Sequence, residues 1–312
     1  MEGPLYITNS ILDKQNSKEA TSKEGQHMDA QAFFKELDSI PDIPTLRSTV
    51  VKVNKMLQDY DTSIKELSSI IEKDQAIVAK ILRLVNATFY GFRSEIRNIP
   101  HAIVVLGFNA VRNAVASVSI IKAFSQEKGL EGFKTTNFWK HSIGVAVTCR
   151  YLSEQARLDL PEDCFVAGLL HDLGKVILAH YFTDLFTRVW ESVREDSLSF
   201  YEAEKKILPV NHAQIAGHLM EKWNFPATLI DSITYHHAFK TSVPNLNQLA
   251  ILHTANSIVN RYKAGSAVTG GRSPINPEAK RILPRQIETV SEWFPSIATE
   301  IDSACELFLG QE

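Results

Sequence analysis

Cysteine is scarce: Cys149, Cys164 and Cys305 are the only three in 312 residues, and no two stand in CxxC spacing. That odd, dispersed set excludes a disulfide framework and a cysteine zinc site, and it suits a reducing compartment. Long apolar runs are missing too, since no stretch approaches the ~18 consecutive apolar residues that a membrane-spanning helix requires. The opening MEGPLYITNSILDKQNSKEATSKEGQH lacks the basic-then-apolar layout of a signal peptide. Residues 1–27 therefore read as a polar, flexible lead, and the expected setting is the cytoplasm, away from membranes. Basic excess is also absent: 33 Lys and Arg stand against 36 Asp and Glu, a formal net charge of −3. A protein built to grip phosphate backbones needs that excess, so direct nucleic-acid binding is not expected. Arg83, Arg97, Arg112 and Lys122 are spread out and interleaved with acids, as on solvated helix faces.

What is present is an ordinary globular composition, 44% hydrophobic and 22% charged, which excludes a natively disordered chain. No run alternates with period 2, so the expected class is all-α. Apolar residues recur at Ile64, Leu67, Ile70 and Ile71, then at Ile77, Val78, Ile81, Leu82 and Val85, each set marking one face of a helix. Asp74 stands where it can cap the second of these. Gly107 and Asn109 mark a break between two further helices. Composition shifts at SQEKGLEGFKTTN, Ser125 to Asn137, which places a boundary there. The organisation expected is the lead, 1–27; an N-terminal helical subdomain, 28–125; a second helical domain, 126–263; and a loop with a helical extension, 264–312. Within the second domain one continuous helix is expected from Glu162 to His180. The glycines of AGSAVTGGRSPINP, Ala264 to Pro277, invite a phosphate-loop reading, but GxxxxGK[ST] is absent and no strand precedes them.

Chemistry is concentrated in CFVAGLLHDLGKVILAH, where His171 and Asp172 interrupt an almost wholly apolar segment. A buried carboxylate needs a compensating cation, either a basic side chain or a metal. An imidazole beside a carboxylate supplies mixed nitrogen and oxygen ligation, although a buried hydrogen-bonded pair would also satisfy both groups. Lys175, one turn on, can neutralise Asp172, hold a phosphate or form a surface ion pair. His141 lies upstream, while His212 and the doublet His236–His237 follow, each at the edge of an apolar helical stretch. Neighbours on a helix diverge by about 100°, so one of the doublet is expected to ligate and the other to support it or meet an anion. Asn256 shares an inward face with Leu249, Leu252 and Val259, where a further polar ligand would stand. His253 is a possible substitute ligand, whereas His27, His180 and His218 carry no role.

The order His141, His171-Asp172, His212, His236-His237 resembles the HD superfamily of metal-dependent phosphohydrolases. The sequence is more similar to the HDOD domain, the HD-related output domain of bacterial signalling proteins. IPTLRSTVVKVNKML, DQAIVAKILRLVNATFYG, IRNIPHAIVVLGFNAVRN, FWKHSIGVA and WNFPATLIDSITYHH carry that likeness, which covers roughly Ile40 to Tyr262.

The resemblance implies an N-terminal helical bundle packed on an HD-like metal-site bundle. Its implied metal ligands are His141, His171, Asp172, His212, His236, His237 and Asn256, with Asp172 and Lys175 in any catalytic role. One or two divalent ions, iron, manganese or similar, are implied. The implied function is a signalling module that acts through a partner protein or a nucleotide ligand, with weak or no catalysis. The alternative is an active metal-dependent phosphohydrolase. Two departures favour the first. The segment after the doublet, AFKTSVPNLNQ, does not resemble the GYP loop of cyclic-di-GMP phosphodiesterases, and the terminal Asp of HD enzymes is replaced by Asn256.

Overall fold

The protein is described by a computed structural model in which residues 29–41, 43, 52–53, 55–56, 62–86, 95–126, 130, 133–262 and 274–310 are placed. The lead 1–27, most of the IPTLRSTVVKVNKML segment and most of the 264–277 loop lie outside the described residues. Among those described, every regular element is a helix and none is a strand, so the chain is all-α as its patterning implied.

The first half supplies α1 (Ala30–Ser39), α2 (Ile64–Ile71), α3 (Gln75–Val85), α4 (Ile99–Leu106) and α5 (Phe108–Ala123). Their ends follow local chemistry. Ser63 and Glu66 close a reciprocal capping box on α2, and Asp74 accepts from the Ile77 amide to start α3. Gly107, at φ 86°, separates α4 from α5 in a conformation that a side chain would strain. The sequence marks both the cap and the break.

The second half supplies α6 (Thr135–Ala156), α7 (Pro161–Leu170), α8 (Leu173–Tyr181), α9 (Thr183–Asp196), α10 (Phe200–Ile207), α11 (His212–Lys222), α12 (Ala227–Tyr235) and α13 (Leu246–Tyr262). The C-terminal extension is α14 (Pro277–Ile282), α15 (Pro284–Glu288) and α16 (Val290–Leu309). The long helix α6 is the axis, packed by α7, α13 and α16. At its closest approach to α7 there is room only for Gly168, because a Cβ there would overlap the backbone of Ala146. Trp139 is fully buried and donates from Nε1 to the Phe124 carbonyl at 3.2 Å, which ties α6 to the end of α5.

Two expectations are corrected. Arg112 is not on a solvated face: it is 7% exposed, 3.4 Å from Asp163 and hydrogen-bonded to Asn113. The reason is that α5 is buried from Ala110 to Ile121 and packs on α7, so its arginine falls inside an interface. The helix expected from Glu162 to His180 is two helices, broken at His171–Asp172. Asp172 takes φ −99° and ψ 5°, and the break reorients the polypeptide at the two polar residues. No helix among the described residues is long and apolar enough to cross a membrane.

Candidate metal centre

The break at His171–Asp172 does what a continuous helix would not, because it turns two adjacent side chains toward one point. His171 closes α7 and Asp172 opens α8, and both are buried. Gly174 then lets α8 press on the start of α11; a Cβ there would overlap the His212 carbonyl. That contact brings His212 to Asp172. From α6 comes His141, and from the end of α12 come His236 and His237.

The two oxygens of Asp172 face different histidines. Oδ2 lies 3.3 Å from Nε2 of His171 and 3.6 Å from Nε2 of His141. Oδ1 lies 3.0 Å from Nε2 of His212 and 3.8 Å from Nε2 of His236. Two clusters therefore share one carboxylate: His141, His171 and Asp172, and Asp172, His212, His236 and His237. In each, the ligand atoms lie within 4.8 Å of one another, so the cluster can hold a metal ion.

Hydrogen bonds on the far sides of the rings fix which nitrogen faces inward. Nδ1 of His171 donates to the Gly168 carbonyl at 2.7 Å, and Nδ1 of His236 donates to the Ile233 carbonyl at 2.6 Å. Nδ1 of His212 donates to Glu204 at 2.6 Å. In a neutral imidazole this leaves the Nε2 lone pair directed at the centre. Those three Nε2 atoms, Nε2 of His237 and Oδ1 of Asp172 are buried without a hydrogen-bond partner among the described residues. A buried group left unsatisfied costs about 1–3 kcal/mol. Several converging on one point fit a cation placed between them.

The electrostatics agree. Burial alone would raise the Asp172 pKa, yet the neighbouring His171, Lys175 and His212 hold it well below the usual carboxylate range. Burial pushes His141 down to about 3 and takes His236 and His237 well below the usual imidazole value, which keeps these rings in the form that ligates. His212 is the exception: burial works against its charge, but the carboxylates of Glu204 and Asp172 together outweigh it and raise the pKa.

Each predicted site residue can now be placed. Lys175 is 4% exposed, with Nζ 2.7 Å from Oδ2 of Asp172 and lying over the Phe200 ring, so it neutralises the carboxylate and is no surface pair. His237 stacks on Tyr201, with ring centroids 4.6 Å apart. Asn256 is buried and accepts from Asn260 at 2.8 Å. His253 is not a spare ligand, because both ring nitrogens are engaged: Nδ1 donates to the His236 carbonyl at 2.8 Å and Nε2 accepts from the Asn276 amide at 3.0 Å. His218 pins α1 through Asp38, and Phe34 stacks on it at 4.4 Å.

Sequence reasoning missed Glu204. It is fully buried and holds His212 twice, by the ring and by the backbone amide at 2.8 Å. Its signal was available, since Phe200, Ala203, Glu204 and Ile207 repeat at helical spacing and put a carboxylate on an apolar stripe.

Buried histidines and an aspartate gathered at a helix break, within an all-helical bundle, define an HD-like fold with a candidate metal centre. The HDOD domain family model matches residues 43–239, and the chain belongs to that family. An uncharacterised protein of Treponema pallidum is 26% identical over 206 residues, which is 64% of this chain and 38% of that protein. The chain thus spans well under half the length of that relative. The crystal structure of an HDOD domain protein of unknown function from Geobacter sulfurreducens shares the fold, with a TM-score of 0.71 at 24% identity over 89% of this chain and 97% of that one. A Marinobacter aquaeolei protein provisionally named a signal transduction protein gives a TM-score of 0.67 at 22% identity, over 85% of this chain and 59% of that one.

Proposed function

We propose that this protein is a regulatory module of bacterial signal transduction in the cytoplasm, acting through a partner protein or a nucleotide ligand. Its centre takes up a divalent ion without efficient hydrolysis. His141, His171, Asp172, His212, His236 and His237 are the residues that would hold the ion, with Asn256 beside them. Such an ion would supply positive charge and Lewis acidity at that point.

One observation carries the non-hydrolytic reading, and it is enclosure. His171 and His212 are 0% exposed, Asp172 and His236 are 1% exposed, and the ammonium of Lys175 already occupies one oxygen of Asp172. A hydrolytic centre keeps a position open to water and substrate. Here all the candidate ligands but the half-buried His237 are closed off, and we read the amide of Asn256 as standing where HD enzymes place a charged ligand.

The test is metal content and phosphoester hydrolysis, measured together on the wild type and on Asp172→Asn. The expected result is manganese or iron uptake by the wild type only, with hydrolysis of bis(p-nitrophenyl) phosphate and p-nitrophenyl phosphate equal in both proteins. Metal-dependent turnover that disappears in Asp172→Asn would establish the phosphohydrolase alternative instead.

A further inference from the structure

Where α13 meets the C-terminal extension, a cavity of about 400 Å³ lies among residues of α13 to α16. That volume falls within the range of roughly 300–1,000 Å³ typical of small-molecule sites. Its wall mixes two chemistries. Ile258, Ile275, Ile287 and Val290 make an apolar floor, and Tyr262, 40% exposed, is braced from behind by the Phe294 ring at 4.5 Å. Arg261 and Lys280 bring the charge to this wall; both are exposed, and no ion pair engages either among the described residues. Among the described residues no acidic side chain lines the cavity, although the chain as a whole carries a net charge of −3. Paired cations beside an aromatic face and an apolar floor suit an anion with a flat organic body.

One side chain ties this cavity to the metal centre. His253 donates to the carbonyl of His236 and accepts from the amide of Asn276, which adjoins the cavity-lining Pro274 and Ile275. Two hydrogen bonds therefore connect that wall to the backbone of a candidate ligand.

We propose that the cavity binds a nucleoside monophosphate, its phosphate on Arg261 and Lys280 and its base against Tyr262, and that His253 carries occupancy to His236. The proposal deepens the regulatory reading by naming the ligand class and the route. Calorimetric titration of the full chain with GMP and AMP tests it, with inorganic phosphate as the comparison. Saturable one-to-one binding is expected, at least tenfold weaker in Arg261→Gln/Lys280→Gln and lost in Val290→Trp, which fills the floor. Both variants should keep the wild-type circular dichroism. Saturating nucleotide should shift manganese affinity fivefold or more, and His253→Leu should remove that shift while nucleotide still binds. The cavity assignment is overturned if neither nucleotide binds, if binding ignores the charge and floor variants, or if inorganic phosphate binds as tightly as GMP. Binding without a shift in manganese affinity overturns the His253 route. Titration of Asp172→Asn separates this proposal from the one it rests on, because nucleotide binding persists there even if the centre holds no metal.

Discussion

Lys175→Met isolates the charge on which the metal-free centre depends. The ammonium lies 2.7 Å from Oδ2 of Asp172 and over the Phe200 ring, and both charged groups are buried. Methionine keeps most of the stem and removes the cation. Deleting one partner of a buried ion pair costs about 3–5 kcal/mol, because the other charge is left uncompensated. At about 2–4 °C per kcal/mol the melting temperature measured in EDTA should fall by roughly 6–20 °C. In the metal-bound protein the ion compensates Asp172, so the loss there should be small. The two states then differ by the same 3–5 kcal/mol, and manganese affinity should rise on the order of 100-fold or more. Melting curves in EDTA and in manganese, with a manganese titration of both proteins, measure each side of this cycle. Lys175→Arg, which retains the charge, should behave like the wild type in EDTA. If Lys175→Met melts normally in EDTA, or binds manganese no more tightly, the ammonium is not the cation that holds Asp172.

Glu204→Gln exchanges a charge-assisted hydrogen bond to His212 for a neutral one, and should weaken metal binding about 10–100-fold with little change in fold, read by manganese titration and circular dichroism. Gly174→Ala places a methyl against the His212 carbonyl, and should cost about 1–3 kcal/mol in chemical denaturation as α8 is pushed off α11. Asn256→Asp restores a negative charge next to His141, and should tighten manganese binding; unchanged affinity would remove residue 256 from the centre.

The parts of this protein legible in its sequence are those where local chemistry decides. Asp74 and Gly107 act within a turn of themselves, so the cap and the break could be read directly. His171 and Asp172 stood out because a carboxylate in an apolar segment demands a partner. The break between them was hidden, since neither residue is a Gly or Pro and the apolar period continues on both sides. It arises from tertiary demand: the side chains must meet histidines from three other helices. Arg112 was misplaced for a related reason, because a long arginine on a helix reads as solvated until a second helix, bearing Asp163, covers it. Glu204 lay in plain view on an apolar stripe, but its meaning depends on His212, eight residues on and in another helix.

The charges around the centre explain why Asn256 and Lys175 belong together. Asp172 faces it, Glu204 stands behind His212 on its Nδ1, and the ammonium of Lys175 offsets Asp172. His212 stands between Glu204 and Asp172, and their carboxylates raise its pKa. A divalent ion arriving at neutral histidines would leave an excess of positive charge in an enclosed space. A further aspartate at position 256 would absorb it; the amide does not. Ion uptake would thus be set against Lys175: on the proposed reading, the ammonium that offsets Asp172 without a metal would limit how tightly an ion is held. On the proposed reading, a centre tuned in that way would release its ion readily, which suits a reversible regulator better than a hydrolase needing a permanently charged site.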